Sequence, residues 1–212
     1  MKITVLTILV TGLLLVSTAS RVHAASVTWA GAVWDANPVT TTLTINSGTG
    51  NLEVSTGSIG WAESDDATVN YFDATFDLDL GANPLIQASH YTGANQAQLI
   101  VDVAGGAIFY DNYDVSPNNF STQSLSMPSG GEHTVSFERA VNGIVTIKLD
   151  TVFLWQAPVG YEMDGLTELR LGAGNMAQSG GLGVYTDATV PEPATMCLLA
   201  MGGLALLRRR RN

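Results

Sequence analysis

The run from Tyr71 to Leu80 alternates without a break: Phe72, Ala74, Phe76, Leu78 and Leu80 are apolar, and Asp73, Thr75, Asp77 and Asp79 between them are polar. A period of two sends successive side chains to opposite faces of an extended strand, so the pattern requires a sheet with one dry face and one wet face. The signal recurs. Val39, Leu43 and Ile45 alternate with Thr40, Thr42, Thr44 and Asn46 before Ser47-Gly48-Thr49-Gly50-Asn51 turns the chain. Leu99, Val101 and Val103 alternate with Gln98, Ile100 and Asp102, and Gly105-Gly106 leads into Ile108–Tyr110. Between residues 25 and 189 no long apolar pattern appears at helical spacing. Short strands bounded by Gly, Asn, Asp and Pro predict an all-β domain built as a two-sheet antiparallel jelly-roll sandwich.

The turn at Asn142-Gly143 joins two such segments and tests the register. A two-residue loop places Phe137 opposite Lys148. A three-residue loop with a bulge pairs Phe137 with Leu149 and Glu138 with Lys148, so that apolar meets apolar and acid meets base. The bulged turn is therefore expected.

The two ends are of another kind. Met1-Lys2, an apolar run from Ile3 to Val16 and the small-residue ending Val22-His23-Ala24 read as an export signal over residues 1–24. Its apolar run of 14 residues is short of the ~20 that a spanning helix needs. At the other end Val190-Pro191-Glu192-Pro193 precedes the uncharged stretch Ala194–Leu207, and the chain closes on Arg208, Arg209, Arg210, Arg211 and Asn212. The prolines stiffen an extended segment, the apolar run suits a short helix, and the arginines act as a cytoplasmic stop. Fourteen residues cover about 21 Å of a hydrocarbon core about 30 Å thick, so the anchor is marginal and suits temporary retention.

This order of Pro-Glu-Pro, short apolar helix and arginine cluster resembles the PEP-CTERM sorting tail of Gram-negative bacteria over residues 190–212. The resemblance implies recognition and cleavage near Pro191-Glu192-Pro193 by an exosortase, a membrane protease or transpeptidase. It also implies passage through the export machinery, transient residence in the inner membrane, and association with the cell surface or extracellular polysaccharide. The segments Gly131–Phe137 and Gly143–Asp150, followed by Leu169-Arg170-Leu171-Gly172 and Gly183-Val184-Tyr185, resemble the second half of a laminin G-like, concanavalin-type sandwich.

Residues 25–189 are long enough for one domain with a real core. They carry 18 acidic residues against Arg139, Lys148 and Arg170, a net charge of −15. Phosphate binding needs clustered Lys and Arg, so nucleic acid is excluded as a partner, and anionic membrane surfaces are disfavoured. The single cysteine, Cys197, lies in the tail, so packing rather than a disulfide must hold the domain.

Chemistry is thinly supplied. After signal removal only His90 and His133 remain, with no nucleophile elbow and too few His or Cys for a zinc site. Glycoside cleavage needs two carboxylates on one face. The run Glu63-Ser64-Asp65-Asp66-Ala67-Thr68 ends in threonine, and Glu162-Met163-Asp164-Gly165-Leu166-Thr167-Glu168 places its last carboxylate one residue too far. No enzyme is expected.

Binding is the better reading. Tyr110-Asp111-Asn112-Tyr113-Asp114 mixes aromatic faces with carboxylate and amide groups in an expected loop, the chemistry of a glycan site, whereas Trp29 and Trp155 read as core. No cofactor is expected. Ca²⁺ is the one ion the composition admits, with Asp65, Asp66, Asp73, Asp77 and Asp79 as candidate oxygen donors. The sequence thus points to an exported, non-catalytic, glycan-associated surface module, with a passive matrix component second and a glycoside hydrolase third.

Overall fold

The computed structural model describes residues 25–190, apart from 39, 65–67, 93–94, 113–120, 127, 160–161 and 178. The signal segment 1–24, the tail from Pro191 to Asn212, and Asp65, Asp66, Tyr113 and Asp114 lie outside the described residues.

The described chain forms strands β1 (Ser26–Trp29), β2 (Ala32–Asn37), β3 (Thr42–Ile45), β4 (Leu52–Thr56), β5 (Gly60–Ser64), β6 (Tyr71–Asp77), β7 (Pro84–Thr92) and β8 (Asn95–Asp102). Then follow β9 (Ala107–Asn112), β10 (Ser121–Ser124), β11 (Glu132–Arg139), β12 (Val145–Leu149), β13 (Val152–Gln156), β14 (Glu168–Ala173) and β15 (Gly181–Thr189). They build two antiparallel sheets. One has eight strands in the order β1-β2-β5-β14-β7-β8-β9-β10, the other seven in the order β13-β12-β11-β6-β15-β4-β3. The last two strands, β14 and β15, lie inside opposite sheets, so the chain closes as a jelly-roll sandwich.

The alternation in the sequence becomes the core. In β6, Phe72, Ala74 and Phe76 are fully buried, while Tyr71, Asp73, Thr75 and Asp77 on the other face are half-buried. Phe72 stacks on Phe137 of β11 with ring centroids 6.0 Å apart. Leu52 and Ile147 from the seven-stranded sheet meet Trp34, Ile86, Leu99 and Leu171 from the other in one cluster. A side chain of this size contributes about 2 kcal/mol when fully buried. Leu80 lies past the end of β6 and is exposed.

The two sheets are tied by Tyr185. From β15 its ring crosses the core, and its hydroxyl reaches the backbone of the ladder pair Leu85 and Gly172. It accepts from the amides of Gly172 (2.9 Å) and Leu85 (3.2 Å) and has the carbonyls of Gly172 (2.6 Å) and Leu85 (2.7 Å) within donating reach. A Cβ on Gly183 would collide with the Gly172 carbonyl, so glycine is required where β14 and β15 cross.

The β11–β12 register differs from the expected one. Phe137 faces Ile147 and Glu138 faces Thr146, two residues from the bulged-turn pairing. A shift of two keeps every side chain on its face, so the apolar pattern is equally satisfied. The connection decides: residues 140–144 form a wider loop closed by Ala140 N–H to Ile144 O (2.9 Å) and Gly143 N–H to Ala140 O (2.9 Å). Lys148 still reaches Glu138, diagonally, at 2.6 Å.

The β12–β13 turn holds Asp150 and Thr151 at φ 50° and 69°. A β-branched residue is disfavoured there. The Asp150 carboxylate secures the turn by accepting from Thr134 N–H (2.9 Å) and contacting His133 Nδ1 (2.7 Å). Replacing Thr151 with glycine is expected to raise stability by about 1 kcal/mol in a denaturant melt. Tyr185→Phe, which strips a buried pair of backbone groups of its partner, is expected to lower it by about 1–3 kcal/mol.

Candidate glycan-binding face

The outer face of the eight-stranded sheet, the one turned away from the core, is divided. At one end Trp61, Leu85 and Ile100 form a small apolar cluster with Ile59, Phe109 and Met176. Asp102 holds the loop above it, accepting from Met176 N–H at 2.9 Å and Gly105 N–H at 2.6 Å. The neighbouring part is polar. Glu168 (β14), Ser89 (β7), Gln98 (β8) and Asp111 (β9) are successive ladder partners across four adjacent strands. That row spans about 14 Å at roughly 4.8 Å per strand. Beside it runs a second row, Glu63 (β5), Arg170 (β14) and Gln87 (β7).

The two rows are stitched together. Gln87 Nε2 donates to Ser89 Oγ (2.5 Å) and is 3.3 Å from Gln98 Oε1. Arg170 Nη2 lies 2.8 Å from Glu168 Oε1 and 3.3 Å from Glu63 Oε2, and Asn37 Nδ2 donates to Glu63 Oε2 at 2.5 Å. The guanidinium also stands 5.8 Å from the centroid of the Trp61 ring. Gly172 must lack a side chain because a Cβ there would press on that ring.

Glu63, Gln87, Ser89, Asp111 and Glu168 are all buried, whereas Gln98 and Arg170 are half-buried. Asp111 is 4% exposed, yet its Oδ1 has no hydrogen-bond partner among the described residues, and neither does Arg170 Nε. Burial raises the Glu168 pKa to about 7, helped by a hydrogen bond to the Glu63 carboxylate and opposed by Arg170.

The structure redistributes the candidate residues. Tyr110, Asp111 and Asn112 are not in a loop but in β9, where alternation sends Tyr110 and Asp111 to opposite faces. The half-buried Tyr110 ring packs on Trp155 of β13 at 4.8 Å between centroids and joins the sheets at their flank. Asp111 alone among the described members of that group reaches the polar face. Of the metal candidates, Asp73, Asp77 and Asp79 are described. Asp73 accepts from Tyr71 Oη (2.5 Å) and Thr189 N–H (3.0 Å), and Asp77 Oδ1 accepts from Asp79 N–H (2.8 Å). Asp73 and Asp77 share a strand face about 13 Å apart, beyond the reach of one ion. Among the described residues no three of His, Cys, Asp and Glu form a group able to hold a metal.

His90 is buried in β7, with Nδ1 3.1 Å from the Gly165 carbonyl. His133 bonds Asp150 through Nδ1 and the Gly130 carbonyl through Nε2. Burial opposes its charge, but those bonds outweigh burial and raise its pKa.

Residues 189–211 match the PEP-CTERM protein-sorting motif, and the chain is an exported protein sorted through its C-terminal tail. No curated protein matches the chain. Solved structures similar to it include the carbohydrate-binding module CBM66 from Bacillus subtilis, at 14% identity and TM-score 0.48 over 74% of this chain and 93% of that one. A β-glucanase of Bacillus licheniformis aligns at 11% identity and TM-score 0.48, over 68% of this chain and 79% of that one. Sheep galectin-11 aligns at 11% and 0.40, over 66% and 94%.

The Glu63–Glu168 pair gives a pH signature. A folded pKa above the ordinary 4.5 means that the folded state holds this proton more tightly than the unfolded chain does. The stabilisation is complete below about 4.5 and is lost as pH rises through about 7. Glu168→Gln keeps a donor toward Glu63 and an acceptor toward Arg170 but cannot ionise. Its melting temperature is expected to exceed the parent's by several degrees above pH 7 and to match it at acid pH, as thermal unfolding across that range will show.

Proposed function

We propose that the exported domain is a non-catalytic module that binds a surface or extracellular glycan on the polar outer face of its eight-stranded sheet. The observation that carries this reading is the cross-strand row Glu168–Ser89–Gln98–Asp111, which ends on a buried carboxylate oxygen without a partner among the described residues. Buried polar atoms are nearly always satisfied, so an orphan acceptor points to a missing donor. A sugar hydroxyl donates and accepts, and a short glycan laid across the strands matches the row's length. Gln98 and Arg170, the half-buried members, are the route by which it would enter.

Hydrolysis fits the same face less well. Glycosidases hold two carboxyls about 5–9.5 Å apart with the sugar bond between them. Glu63 and Glu168 are hydrogen-bonded to each other and share Arg170, which leaves no place for a substrate. The pair therefore supports a structural role.

In this reading the tail delivers the module: an exosortase-like protease acts near Pro191-Glu192-Pro193, and the domain remains at the cell surface or in the matrix. Pull-down of the exported protein with the producing cell's own extracellular polysaccharide tests the binding. Saturable binding is expected, reduced at least about tenfold by Gln98→Ala or Asp111→Asn with melting temperature held within a few degrees. Undiminished binding by both variants would remove this face from the account. Absence of any binding would leave a passive matrix component, and release of reducing sugar would restore the hydrolase.

A further inference from the structure

β15 runs into the sorting motif without a spacer. Its last residue is Thr189, and Val190, which opens Val-Pro-Glu-Pro, is half-buried against the core. A protease that reads its substrate as an extended strand needs free backbone on both sides of the bond it cuts. In this protein the backbone just upstream of Pro191 is still part of a sheet. We infer that Thr186–Thr189 form a detachable strand end that must open to admit the sorting protease, with Tyr185 as the point where opening stops. The inference rests on the reading of the tail as a processed one.

Three features separate this end from the rest of β15. Its pairing with β6 breaks register between Tyr185 and Asp187, which places a bulge at Thr186. Pairing with β4 ends at Tyr185 opposite Leu52, so among the described residues Thr186–Thr189 are laddered by β6 alone, as Gly181–Val184 are by β4 alone. The amide of Ala188 donates to its neighbour Asp187 Oδ1 (2.8 Å), and that of Thr189 to the Asp73 carboxylate (3.0 Å). Asp187 and Thr189 are exposed, and Ala188 is the one fully buried side chain of the four. Little apolar surface opposes release.

Immediately upstream the character reverses. Gly183, Val184 and Tyr185 are buried and paired with β4, Tyr185 pairs with Phe76 of β6 as well, and its hydroxyl fastens the strand to the opposite sheet. Opening can reach the bulge without loosening the sandwich. Two polar latches hold the closed form: Asp73, itself oriented by the Tyr71 hydroxyl, on Thr189, and Glu132 on the Thr186 hydroxyl. Local opening of this kind sets how often a protease finds its substrate.

The test follows loss of the tail from the full-length protein in its producing bacterium by pulse-chase. A Gly-Ser-Gly-Ser insertion between Thr189 and Val190, and separately Asp73→Ala, are expected to speed tail loss several-fold. An Ala74→Cys/Ala188→Cys pair, facing each other in the ladder and combined with Cys197→Ser, is expected to slow it at least about tenfold when oxidised and to restore it when reduced. Parental rates with both the insertion and the oxidised pair would overturn the inference while leaving the sorting reading intact. A parent that keeps its tail, indistinguishable from one with Pro191, Glu192 and Pro193 changed to alanine, would overturn the sorting reading and this inference with it.

Discussion

One phenolic hydroxyl joins the two sheets. Tyr185 spans the sandwich from β15 and places its oxygen among the four backbone polar atoms of Leu85 and Gly172, satisfying groups that water cannot reach. The contact is possible because Gly183 lets β15 approach the Gly172 carbonyl of β14 with no side chain between them. Much else is set by it. β14 and β15 are set as interior strands of their sheets, the outer surface of β14 carries part of the polar face, and the end of β15 leads into the tail. The residue that locks the fold therefore stands between the candidate binding surface and the sorting motif.

The architecture was largely legible in the alternation of side chains, because burial of one sheet face leaves a period of two in the sequence. Phe72, Ala74 and Phe76 carried that signal, and the structure buries all three. Register was not legible to the same depth. Phe137 meets Ile147 rather than Leu149, and both partners are apolar residues on the same face of β12. A displacement of two residues is invisible to a pattern of period two, and only the five-residue connection, held by its own backbone bonds, selects between them.

The polar face was hidden for a related reason. Its members come from five strands, and the hydrogen-bonded carboxyl pair, Glu63 and Glu168, is brought together by β5 and β14, distant in sequence. A search for carboxylates at short spacing examines each strand alone and finds neither run complete. The sequence did contain one partial sign: Gln87 and Ser89 alternate with Ile86 and Ala88, which marks a strand whose outer face is polar though the strand lies within the sheet. Tyr110 illustrates the converse error. Aromatic and acidic residues side by side suggested a loop, but in a strand adjacent residues face opposite ways, and only Asp111 shares the polar face.

The charge balance narrows what that face can hold. The domain has three basic side chains against 18 acidic ones, and the structure engages all three: Arg170 with Glu63 and Glu168, Lys148 with Glu138, and Arg139 with Asn70 and the Met163 carbonyl. Arg170 cannot be turned to an anionic ligand without leaving two buried carboxyls uncompensated, which typically costs 3–5 kcal/mol. A strongly acidic polysaccharide would thus meet net repulsion and no available cation among the described residues. A neutral glycan avoids both difficulties, since amides, hydroxyls and carboxylates recognise it by hydrogen bonds alone. On the proposed glycan-binding reading, the same −15 that disfavours nucleic acid therefore also favours uncharged over acidic sugars.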